Sequence, residues 1–165
     1  MKILDIVSIQ NRLWQFRGDI MNIFTMGFTQ KKAENFFENI KKNKIEILLD
    51  IRLNNQSQLA GFTKGRDLAY FLRVICECDY QHNVVYAPTK EILQAYKKEE
   101  ITWEEYEVKY NELIAKRRVA HEFKKIYEQY SNALLLCSEP TPEHCHRRLL
   151  AEYLSEELGA NIIHI

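Results

Sequence analysis

The sequence predicts a single α/β domain: a largely parallel sheet flanked by helices, in Rossmann-like layers but without a dinucleotide fingerprint. Three observations predict it. Apolar runs of strand length alternate along the chain with segments whose apolar residues recur at helical spacing. The runs IEILLDI at 45–51 and ALLLCSE at 133–139 read as strands of a parallel sheet covered on both faces, since period-two alternation is missing. With 165 residues, 46% of them apolar, the chain suits one core and is too short for two ordinary ones.

The elements follow in order. NIFTMGF at 22–28 reads as a strand ended by Gly27, and Thr29 as the cap of a helix carrying Ala33, Phe36, Phe37 and Ile40. After the strand at 45–51, a polar loop with Gly61 and Gly65 leads to a helix around 66–77 and a strand at 80–86. Thr89 opens a short helix. Thr102 with Glu105 forms a capping box for a longer one, whose stripe is Trp103, Tyr106, Tyr110, Leu113 and Ile114. Another helix runs to about Tyr130, and the aromatic residues of this central region read as core. After the strand at 133–139, Thr141 and Pro142 supply an N-cap and a preset first helical position, and Gly159 ends that helix before a last strand, NIIHI.

Lys and Arg together number 23, as do Asp and Glu, so the chain has no overall attraction for nucleic acid or an anionic membrane. KKNK at 41–44 and KRR at 116–118 read as solvated helix faces. No stretch approaches the roughly 20 apolar residues of a membrane span, and the N-terminus lacks the apolar core of a signal peptide. A cytoplasmic location is expected, with Cys76, Cys78, Cys137 and Cys145 kept as thiols or thiolates.

The chemistry concentrates in LLLCSEPTPEHCHRRLL at 134–150, where a buried strand runs into a helix N-terminus. Cys137 and Glu139 fall at the strand's carboxyl end. Cys145, His146, Arg147 and Arg148 fall in the first helical turn, where unpaired N–H groups favour an anion or a thiolate. Cys145 is therefore expected to be acidified, as a nucleophile or redox thiol. The structural alternative makes both cysteines small buried hydrophobes and uses His146 and Arg147 to tie the helix to the sheet. A metal on Cys137, His144, Cys145 and His146 is the competing reading, and the wide cysteine spacing argues against it.

A second constellation is DIRLNNQSQLAGF at 50–62, where Asp50 and Arg52 leave a strand into a loop of short polar groups including Ser57. Arg52 can anchor phosphate or carboxylate, or simply pair with Asp50 or Glu139. A third is TMGFT at 25–29, in which Gly27 permits close backbone approach and Thr29 offers a hydroxyl. Neither a Walker motif nor a Rossmann glycine triplet occurs, which speaks against nucleotide binding of those two kinds and leaves the cofactor unknown.

Together these segments resemble the Domain of Unknown Function 488 family. Its opening Thr-Ile-Gly-His-Ser corresponds to Thr25–Thr29, and its Asp-Val-Arg, Pro-x-Ser and Gly-Phe to Asp50, Ile51, Arg52, Ser57, Gly61 and Phe62. Its Tyr-x-His fits Tyr80 and His82, and its Trp with spaced aromatics fits Trp103, Tyr106 and Tyr110. The most specific signature, Leu-Leu-Cys-x-Glu, Pro, Cys-His-Arg, fits Leu135, Leu136, Cys137, Glu139, Pro142, Cys145, His146 and Arg147. Phe28 replaces the family's histidine and Asn55 a usual proline. Residues 1–20 have no counterpart and read as an N-terminal extension before a domain at 21–165. The resemblance implies an α/β fold with a site at the strand ends, and no particular reaction.

The expectation is an enzyme acting on an anionic small molecule or nucleotide-like group. Arg52 and Arg147 would hold the anion, with Ser57, Thr29 and Asp50 beside them, Cys145 or Cys137 would be the reactive thiol, and His146 or Glu139 would carry the proton. The alternatives are a phosphate-binding or nucleic-acid-binding module without chemistry, and a purely structural Cys-His-Arg cluster.

Overall fold

A computed structural model describes residues 20–56 and 60–165 of the chain. Strands β1 (Asn22–Gly27), β2 (Ile47–Asp50), β3 (Asp79–His82), β4 (Asn132–Cys137) and β5 (Asn161–His164) form one sheet in the order β3-β2-β4-β1-β5. Every neighbouring pair is parallel, as expected. The α-helices among the described residues are α1 (Ala33–Lys42), α2 (Gly65–Phe71), α3 (Lys90–Lys97), α4 (Trp103–Lys116), α5 (Val119–Tyr127) and α6 (His146–Leu158). None is long and apolar enough to cross a membrane.

The strand order decides where the helices go. The connections β1–β2 and β2–β3 step toward one edge of the sheet, whereas β3–β4 and β4–β5 step toward the other, so right-handed crossovers lay their helices on opposite faces. The two cores agree. Phe36, Phe37 and Ile40 of α1 with Leu68 of α2 pack on Met26, Leu48, Leu134 and Leu136. Tyr106, Tyr110 and Ile114 of α4, Phe123 of α5 and Leu150 and Leu154 of α6 pack on Ile23, Leu49, Ala133 and Leu135. Residues 134 and 136 thus face one core and 133 and 135 the other, and the next residue in that alternation, Cys137, faces the layer of α4 and α6.

The capping box forms as the sequence predicts: the Glu105 N–H donates to Thr102 Oγ1, and the Thr102 N–H donates to the Glu105 carboxylate. Thr102→Ala is expected to lower stability by about 1 kcal/mol in urea denaturation, with the cleft described below unchanged.

Several local expectations are corrected. Thr29 does not cap a helix: its N–H donates to the Ser138 carbonyl, prolonging the β1–β4 pairing, and α1 starts at Ala33. The strand expected at 80–86 stops at His82, because Val84–Tyr86 turn into a 3₁₀ segment held by Arg117 and Tyr110. The Arg117 guanidinium donates to the Val85 and Ala87 carbonyls, and the Tyr110 hydroxyl donates to Tyr86 O. The helix at 66–77 ends in a π-helical turn, Leu72–Cys76. Thr141 and Pro142 do not open α6: Pro142 begins a turn closed by the Cys145 N–H, and Cys145 is the N-cap. Gly159 ends α6 with a φ of 70°, which suits glycine. The expected N-terminal extension, apart from Ile20, lies outside the described residues.

Candidate functional site

In a parallel sheet the crevice for a ligand opens where neighbouring strands send their connections to opposite faces. Here β4 leaves toward α6 while both its neighbours, β1 and β2, leave toward α1 and α2, so a gap is expected on each side of its carboxyl end. The gap beside β1 is filled. Gly27 lies against the backbone of Glu139, whose carbonyl also accepts from the Arg147 guanidinium at 2.7 Å. The gap beside β2 opens into a cleft of about 540 Å³. Arg52, Leu53 and Asn54 line it from the exit of β2, and Cys137 through Thr141 from the exit of β4. Pro88, Leu93, Tyr96 and Lys97 enclose it with Trp103 and Tyr106 of α4.

At the floor, the ligating atoms of Cys137, Cys145 and His146 all lie within 4.8 Å of one another. The three residues are buried but line the cleft. The His146 Nε2 faces the Ile51 carbonyl at 3.1 Å. A carbonyl can only accept, so Nε2 carries the proton, and Nδ1 presents its lone pair to the Cys137 sulfur 3.6 Å away. The ring is held edge-on against Tyr110, with centroids 5.5 Å apart. A thiol, an imidazole base and an orienting acceptor thus stand in series, an arrangement suited to nucleophilic chemistry.

The two thiols differ in acidity. Hydrogen bonding from Cys145 holds the Cys137 thiol below the ordinary thiol range, assisted by the N–H groups of Ser138 and Glu139 and the charge of Arg147, against the effect of burial. Cys145 moves the other way. Its hydrogen bond to Cys137, then burial and the Cys137 charge, push it well above that range. The acidified thiol expected at Cys145 is therefore found at Cys137, because Cys145 gives its hydrogen bond to the Cys137 sulfur and takes none from the helix N–H groups.

Among the three protein donors, a soft divalent cation could be held by two sulfurs and one nitrogen. The cysteine spacing that argued against such a set is closed in space by the Pro142–Cys145 turn.

The arginines are otherwise engaged. Arg52 is buried and paired with Asp50, its Nε on Oδ1 at 2.7 Å and its Nη2 on Oδ2 at 2.6 Å, while Nη2 also donates to Thr63 O. The Tyr80 hydroxyl donates to the same Asp50 carboxylate, and His82 Nε2 donates to the Arg52 carbonyl. Arg52 Nη1 has no partner among the described residues. Arg147 is buried outside the cleft lining, bracing Glu139.

The family model described as Domain of unknown function DUF488 matches residues 32–154. The chain belongs to this family. No curated protein and no solved structure matches it. The DUF488 match takes in Asp50, Arg52 and the whole Cys137–Arg147 segment, and starts after Thr25–Thr29. At the departure from the family pattern, the buried ring of Phe28 lies under the Arg52 guanidinium, 5.0 Å from centroid to carbon, as a cation–π contact.

Of the residues read from the sequence, Cys137, Glu139, Cys145, His146 and Arg52 share the cleft of this DUF488 chain, with Glu139 exposed at its rim. Arg147, Asp50 and Thr29 do not line it, and Ser57 lies outside the described residues. Sequence reasoning missed the Ile51 carbonyl, which leaves no side-chain signal, and the wall of Pro88, Leu93, Tyr96 and Lys97, which looked like an ordinary helix and its approach.

Proposed function

We propose that this DUF488 protein is a thiol-dependent enzyme acting on an anionic small molecule or nucleotide-like group in the cleft. Cys137 is the attacking sulfur, His146 accepts its proton through Nδ1, and Glu139 at the rim exchanges protons with solvent or the leaving group. The observation that carries the reading is the 3.6 Å approach of Cys137 to His146 Nδ1, with Nε2 anchored on Ile51 O, at the floor of an open cleft. Arg52 Nη1, a buried donor without a partner among the described residues, supplies a group for an anion to satisfy, and Lys97 adds a positive charge to the lining. Arg147 acts on the sulfur through its charge and by holding the Glu139 backbone.

The test is alkylation of the reduced protein across pH, with peptide mapping. Cys137 is expected to react at neutral pH and to keep its rate as pH falls below the ordinary thiol value of about 8.5, where a free cysteine has already slowed. Cys76 and Cys78, pushed by burial to about 11 and about 12, are expected to stay inert there. Anionic iodoacetate should gain on neutral iodoacetamide at Cys137 relative to a free thiol, and His146→Gln should slow the reaction at least about tenfold. A Cys137 rate that titrates like free cysteine and ignores reagent charge would defeat the proposal.

A further inference from the structure

We infer that Cys137 and Cys145 form a redox-active pair in which Cys145 is the resolving thiol, so that the cleft accepts small-molecule disulfides. The inference rests on Cys137 being the attacking sulfur and adds the substrate class and a role for its neighbour. The two cysteines sit on different elements, at the end of β4 and the N-cap of α6, and the Pro142–Cys145 turn folds the second back over the first. Their sulfurs lie within 4.8 Å of each other, and both residues line the cleft. The Cys145 thiol makes no capping bond to α6, which leaves its S–H uncommitted to the helix. Cys76 and Cys78 lie away from the cleft and serve as internal controls.

The step balances. The Cys137 thiolate, its proton passed to His146, attacks one sulfur of RS–SR; a Cys137–SR bond forms, the RS–SR bond breaks, and the departing RS⁻ takes that proton and leaves as RSH. Cys145 then gives its proton to His146, or to the departing RS⁻ through it, and its sulfur attacks Cys137. The Cys137–Cys145 bond forms and a second RS⁻ departs. The two cysteines lose two electrons and two protons, and one disulfide becomes two thiols. Attack by a thiolate on a mixed disulfide is fast when the attacking group is already held beside it, which is the situation of Cys145.

The experiment exposes the reduced full-length chain, pretreated with a chelator, to hydroxyethyl disulfide and maps the products by mass. The wild type should lose two hydrogens on the linked Cys137 and Cys145 peptides, reversibly with dithiothreitol, leaving Cys76 and Cys78 free. Cys145→Ser should instead accumulate the mixed disulfide on Cys137, and Cys137→Ser should give neither product. A wild-type chain that keeps a stable adduct on Cys137 beside a free Cys145 overturns the pair and leaves Cys137 as nucleophile. No reaction at Cys137 in the wild type overturns both. A metal ion retained by the untreated wild type and lost in Cys145→Ser would also overturn the pair, by making these sulfurs ligands. The wild-type map decides the matter even if a variant fails to fold.

Discussion

Gly27→Ala is expected to cost about 3–5 kcal/mol and to disable the candidate site with it. A Cβ at this position would stand 1.6 Å from the Glu139 carbonyl oxygen and 2.6 Å from its carbon, with the Arg147 Nη1 3.2 Å away. The obstacle is backbone, so no rotamer change relieves it; the segment leaving β4 must move as a whole. That movement breaks the bond from Arg147 to Glu139 O, a charged donor whose loss adds about 1.5–3 kcal/mol within the total. It also withdraws the Ser138 and Glu139 N–H groups from the Cys137 sulfur. Urea denaturation and the Cys137 alkylation rate measure the two effects. A variant within about 1 kcal/mol of the wild type would mean that the β1–β4 exit is not as closely packed as described.

The second large effect is expected at Asp50. Its buried carboxylate accepts from Arg52 Nε, Nη2 and N–H and from the Tyr80 hydroxyl. Asp50→Ala removes the countercharge of a buried guanidinium whose remaining hydrogen bond is to Thr63 O, and should cost about 3–5 kcal/mol. The pair itself has a much smaller net worth than this, because both charges give up water to form it. Asp50→Ala combined with Arg52→Met should therefore recover part of the loss, and a double-mutant cycle of denaturation midpoints measures the coupling. If the double variant were as unstable as Asp50→Ala, the uncompensated Arg52 charge would not be the cause.

Much of the fold is legible because the signals concerned are local and unopposed. A run such as IEILLDI lacks alternation because the sheet is covered on both faces, and the Thr102–Glu105 box states its helix start within four residues. The misreadings occur where a local signal meets a stronger tertiary partner. Thr29 looks like a cap, but the chain there still pairs with the exit of β4 through Ser138 O, and the helix starts only at Ala33, after Lys32. Thr141 and Pro142 look like a helix start, yet the chain turns there and delays α6 to His146. Both misreadings border the candidate site, where the backbone is used to bring groups together rather than to satisfy itself.

The sequence alone determined the order of strands and helices along the chain, the burial of β2 and β4 on both faces, and which residues stand at strand ends, because hydrophobic period and turn chemistry act over a few residues. Only the tertiary structure decided that Cys137 rather than Cys145 is the acidic thiol, that Arg52 is paired with Asp50, and that Arg147 braces Glu139. It also decided that the open crevice lies beside β2 and not beside β1. These properties depend on electrostatics and packing between segments far apart in the chain: an N–H group or a charge acts on a sulfur through a few ångströms of space, and sequence separation carries no record of that distance.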